Sequence, residues 1–150
     1  MKKNVRQNMN PNKKRIALGI LLVCFLAGAA SMVMFQNPKT SAIRYVRANQ
    51  AALQQFSEKL LQDPPVNRRT SYNGWTADAY TEMVQFHTSS QGKNYQGFYY
   101  SPQNIPLGFQ ETDMEFIPQE NGWYWEESDG NNRMYTEKIT DHWYWYDMHF

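Results

Sequence analysis

Residues 142–150 read His-Trp-Tyr-Trp-Tyr-Asp-Met-His-Phe. Side chains of a strand alternate between two faces. As a strand, this stretch puts Trp143, Trp145, Asp147 and His149 on one face, and Tyr144, Tyr146, Met148 and Phe150 on the other. Chain ends usually fray, but so dense an aromatic run predicts an ordered strand paired inside a sheet. Burying two ionisable groups costs several kcal/mol unless they are paired. The row Tyr144, Tyr146, Met148, Phe150 is therefore expected to face the core. Trp143 and Trp145 then fall on the opposite face, beside Trp123 and Trp125, unless loops cover them. These four tryptophans are the candidate binding residues, suited to flat apolar surfaces such as sugar rings or peptides.

Upstream, the pattern stays β. Strands are expected at 82–88, 95–101, 113–117, 123–127 and 133–139, with turns between them. Pro106 and Gly108 make 105–110 a bend or a short edge. Residues 66–73 read as a polar loop ending in the turn signal Asn73-Gly74. Before that, Ile43, Val46, Leu53, Phe56, Leu60 and Leu61 recur at helical spacing over 41–62. Thr40 or Ser41 is placed to cap this amphipathic helix, and Asp63-Pro64-Pro65 stops it. Its stripe Leu53, Phe56, Leu60 is expected to pack on the sheet. The fold class is α+β, an amphipathic helix followed by a small antiparallel meander. A sheet with one wet face should alternate apolar with polar residues. This one is aromatic on both, so either both faces are covered or one displays aromatics.

Residues 16–35, IALGILLVCFLAGAASMVMF, carry no charge. As a helix they reach about 30 Å, the thickness of the bilayer's hydrocarbon core, and they read as a transmembrane helix. The tail at 1–15 holds Lys2, Lys3, Arg6, Lys13, Lys14 and Arg15 and no acid. All 14 acids lie beyond Phe35. Basic flanks stay cytoplasmic, so the tail is expected inside and residues 36–150 outside the cell membrane. The division is then 1–15 tail, 16–35 anchor, 36–65 juxtamembrane helix and 66–150 sheet domain. Ala27-Gly28-Ala29 and Ala29-Ala30-Ser31 fit the small-x-small cleavage pattern. Apolar residues continue past both, which favours an uncleaved signal anchor over a secreted domain. The lone cysteine, Cys24, follows Val23, so it lacks the small residue that lipidation requires. The lipid bilayer is one expected partner. An acidic outer part argues against nucleic acid.

Four motifs carry a resemblance. They are Gly97-Phe98-Tyr99-Tyr100-Ser101-Pro102, Gly122-Trp123-Tyr124-Trp125, Asn132-Arg133-Met134-Tyr135-Thr136 and Trp143-Tyr144-Trp145-Tyr146. In that order they resemble a loose group of short, membrane-anchored envelope proteins of Gram-positive gut bacteria. The resemblance implies compartment and architecture, with no assigned activity. The plan of apolar helix, amphipathic helix and sheet is also similar to type IV pilins, but no glutamate precedes Glu58 where pilin processing needs one.

Metal sites need several converging ligands. Of His87, His142 and His149, only His149 shares a strand face with a carboxylate, Asp147, and a pair is not a site. Residues 129–134 lack the ligand spacing of a calcium loop. Asp141-His142 is half a triad without a serine in a nucleophile elbow. Glu126 and Glu127 point to opposite faces. No catalytic residue, metal or cofactor is implied, and the expected role is non-enzymatic binding or envelope assembly. Cell-wall glycan and another envelope protein are the candidate partners.

Overall fold

In the computed structural model, residues 37–87 and 92–150 are described. Residues 1–15 and 16–35, expected as tail and anchor, lie outside them, and Cys24 with them. Among the described residues no helix is long and apolar enough to cross a membrane. The order is α1 (Pro38–Gln62), β1 (Arg69–Tyr72), β2 (Trp75–Ala79), β3 (Val84–His87), β4 (Asn94–Tyr100), β5 (Ile117–Gln119), β6 (Gly122–Glu126), β7 (Arg133–Thr140) and β8 (Trp143–His149). All eight strands form one antiparallel sheet, ordered β1-β2-β3-β4-β8-β7-β6-β5.

Helix α1 starts three residues earlier than the cap residues suggest. Pro38 is tolerated in a first turn because its missing N–H has no partner there anyway. The helix kinks at Asn49, whose φ of −124° is not helical and whose amide donates to the Tyr45 carbonyl at 2.8 Å. The loop expected at 66–73 holds β1. A two-residue hairpin joins it to β2 through Asn73 and Gly74, both with positive φ. β1 escaped notice because Arg-Thr-Ser-Tyr has no apolar alternation.

The strand expected at 113–117 begins only at Ile117. Residues 101–116 instead form a strap across the face opposite α1. Leu107, Phe109, Met114 and Phe116 of the strap pack with Met83, Tyr99, Met134, Tyr144, Tyr146 and Met148. Met114 and Phe116 alternate like a strand because both point at the sheet, but they join no ladder. Both sheet faces are thus covered at the centre.

The face assignment is overturned. Trp143 and Trp145 pack under α1 with Val46, Leu53, Leu60, Phe86 and Phe98. Trp143 is fully buried and Trp145 only 5 % exposed. The row Tyr144, Tyr146, Met148 lies under the strap, and Phe150 stays 39 % exposed. The helix lies over β2, β3, β4, β7 and β8. Asp147 and His149 remain half-buried and pair at 3.1 Å. The desolvation argument failed because a cover need only span part of a row.

On the helix side, Phe86 and Phe98 face each other across β3–β4 and stack at 4.8 Å. On the strap side Tyr99 and Tyr144 stack at 5.2 Å across β4–β8. Gly97 sits opposite His87, where a Cβ would collide with the Phe86 carbonyl oxygen. Because β8 is interior to the sheet, deletion of residues 143–150 should abolish cooperative unfolding. Trp143→Ala should cost about 3–5 kcal/mol, read as a shift in the denaturant midpoint of the full chain. A truncated chain melting near the parent temperature would contradict the central role of β8.

Candidate functional site

The four tryptophans do not form one surface. The indole N–H groups of Trp143 and Trp145 sit in the core without a hydrogen-bond partner, as packing residues would. Trp123 and Trp125 lie on the other face, half-buried at the edge of the strap core. Trp123 meets Tyr144 with ring centroids 6.0 Å apart. Between them, Tyr124 points to the helix side, opposite Tyr135.

On that side the start of α1 builds a small cage. Lys39 Nζ lies 2.7 Å from Glu137 Oε2, 4.8 Å from the centre of a Trp145 ring and 5.6 Å from that of Tyr135. Tyr135 Oη donates to the same Glu137 oxygen at 3.1 Å. Partial burial, then the hydrogen bond and charge of Glu137, push the Tyr135 hydroxyl pKa up. An ammonium held by two aromatic faces and a carboxylate is an established recognition geometry. Tyr124, one strand further out, and the 62 % exposed Ile117, two strands out, continue the row. Partial desolvation and neighbouring Glu126 push the Tyr124 hydroxyl pKa up as well.

A second polar cluster sits on the strap side of β1–β3. Asp78 accepts from Arg69 Nε at 2.6 Å and Nη2 at 3.0 Å, and lies 3.0 Å from His87 Nε2. Burial pushes the Asp78 carboxyl up, but the bonds from Arg69 and His87 outweigh it and hold it below the usual range. Beside it, burial and the Asp78 charge push Tyr80 up to about 12. Asn67, Arg68, Arg69, Asp78 and Tyr80 line an open cleft of about 450 Å³. The cluster ties β1 and β3 to β2 through one carboxylate.

Neither cluster was anticipated. The Asn73-Gly74 turn carried the signal for the second, because a two-residue loop sets Tyr72 opposite Trp75 and therefore Arg69 opposite Asp78. The first depended on where the helix start lands. The half-triad is a turn: Asp141 pairs with Lys138 at 2.8 Å, which lowers its pKa, and His142 adopts positive φ with its N–H donating to Asn104 Oδ1. Among the described residues no three His, Cys, Asp or Glu side chains converge as metal ligands would.

The described residues thus form an α+β domain with one helix on an eight-stranded antiparallel sheet and an aromatic ribbon at one end. Comparisons with protein-family models, with curated proteins and with solved structures return no match.

The Asp78 shift fixes a sign. A carboxyl held below its ordinary value of 3.8 stabilises the fold above that pH, and the contribution is lost as pH falls through the folded value. Asp78→Asn should therefore be less stable than wild type above about pH 4 and approach it at lower pH. Urea unfolding across acidic pH reads the difference, and a pH-independent gap would contradict this coupling.

Proposed function

We propose that this chain is a single-pass membrane protein whose domain lies outside the cell membrane and acts by binding, in envelope assembly, rather than by catalysis. The anchor reading of residues 16–35, the basic tail and the resemblance to envelope proteins support the compartment. The observation that carries the binding role is the ribbon β5–β6. Helix and strap bury β8, yet Trp123, Tyr124 and Trp125 on β6 stay half-exposed, two on one face and one on the other. Aromatic groups at a wet surface, flanked by Glu120, Glu126 and Glu127, suit recognition more than packing.

Protease added to intact, wall-stripped cells should remove the domain, while full protection would reverse the orientation. The mature protein should keep its N-terminal residues, and an N-terminus at Ala30 or Met32 would mean a secreted domain. A second reading, a wall-glycan module, is favoured by Trp123 and Trp125 standing side by side on one face. Trp123→Leu with Trp125→Leu keeps apolar bulk but removes ring stacking. Under that reading the pair should weaken retention on insoluble wall material about tenfold, a loss of about 1.4 kcal/mol, with the melting temperature little changed. Unaltered retention would reject the glycan reading.

A further inference from the structure

The helix-side face of the sheet is roofed only in part. Lys39, at the start of α1, reaches Glu137 on β7. Tyr124 lies one strand further out and Ile117 two, in one row with Tyr135. Glu126 is on the same face two residues along β6, opposite Arg133. Gly122, two residues the other way, has no side chain, and a Cβ there would collide first with the Thr136 carbonyl oxygen and then crowd Tyr135 Oη at 2.9 Å and Glu137 Cβ at 3.1 Å. The glycine therefore lets the cage wall close against β6. Residues 111–150 carry ten acids against Arg133 and Lys138, a net of about −8, and on this face Glu126, Glu137 and Asp147 meet Arg133 and Lys39, which leaves the row an excess of one negative charge.

The Lys39 cage shows what this surface recognises. Its ingredients are aromatic faces with a carboxylate beside them, and Tyr124 with Glu126 repeats them in the open. We propose that this face binds a cationic polypeptide segment. Its Lys or Arg side chains would lie on Tyr124 beside Glu126, and their aliphatic stems against Ile117. This deepens the binding reading above, on which it rests, by naming the chemistry of the partner. A peptide suits the row better than a sugar does. The row crosses three strands, so it offers contact along about 10 Å, which matches successive side chains of an extended segment. Arg133, opposite Glu126, offsets its charge and so limits the affinity, and the attraction that remains is electrostatic and falls with salt.

The test titrates the full chain, in non-ionic detergent, with hexalysine by calorimetry, with hexaglutamate and chitohexaose as comparison ligands. Hexalysine should bind saturably, weaken as salt rises, and bind more tightly than either comparison ligand. Tyr124→Ala should weaken it about tenfold and Tyr124→Phe, which keeps the ring, should restore it. Glu126→Gln, at an exposed position and nearly isosteric, should weaken it several-fold, so the proposal stays testable even if Tyr124→Ala unfolds. Trp123→Leu, on the opposite face, should leave it unchanged. No saturable hexalysine binding, or equal affinity in wild type and Glu126→Gln, overturns the proposal. Chitohexaose binding in its place also overturns it while leaving an envelope-binding role standing. Hexalysine binding by a chain whose domain is protected from external protease would do the reverse.

Discussion

Strand β8 is apolar on both faces, and that constraint organises the domain. A strand buried on two sides must have strands on both edges and a cover on both faces. β4 and β7 supply the edges, α1 supplies one cover and the strap at 101–116 the other. The strap is not a regular element, so its backbone polar groups need other partners. Tyrosine hydroxyls and amide side chains provide them. Leu107 N–H donates to Tyr99 Oη at 3.0 Å, Tyr144 Oη donates to the Asn104 carbonyl at 2.8 Å, and Gln110 N–H donates to Gln85 Oε1 at 3.1 Å. On the strap side Tyr99 and Tyr144 thus end in hydroxyls that serve the strap backbone, while the helix packs on Phe86, Phe98, Trp143 and Trp145. A helix satisfies its own backbone and asks only for apolar contact, whereas a strap needs a ring that ends in a hydroxyl.

The same constraint exposes the ribbon. One helix and one strap have a limited span, and both are spent on the centre of the sheet. β5 and β6 lie at the far end from β1, where cover is thinnest, and there the aromatic residues are half-exposed. Their exposure follows from the geometry of the covers, and their chemistry, aromatic with carboxylates alongside, is what the sequence places there.

Much of this was legible in the residues. The helix, the strands β3, β4, β6, β7 and β8 and the ordered C-terminus follow from periodicity, and the aromatic content of both faces left two covers or one aromatic display as the alternatives. What escaped was set by long-range placement. β1 has no hydrophobic pattern and is held by its turn and by Arg69 on Asp78. The strap mimics a strand because a chain lying flat on a sheet also alternates inward and outward. The faces of β8 were inverted because Asp147 and His149 were weighed as if the whole row were covered. Burial is decided residue by residue, and His149 and Asp147 sit where partial exposure and their own pairing spare them the cost.

The sheet edges narrow how this ribbon can be used. An open edge strand invites another chain to add to it. β5 is three residues long, and Pro118 at its middle has no N–H to give. β1 is four residues long and carries Arg69. Both edges are therefore poor templates for strand addition, and main-chain pairing offers a partner little. Any ligand of the ribbon must be held by side chains on its faces, and the two faces differ in kind. Trp123 and Trp125 present flat indole surface on one, while Tyr124 between Ile117 and Glu126 presents ring, stem contact and charge on the other. On the binding role proposed above, discrimination between a neutral ring and a cation would be a choice of face, made by the two-residue period of a single strand.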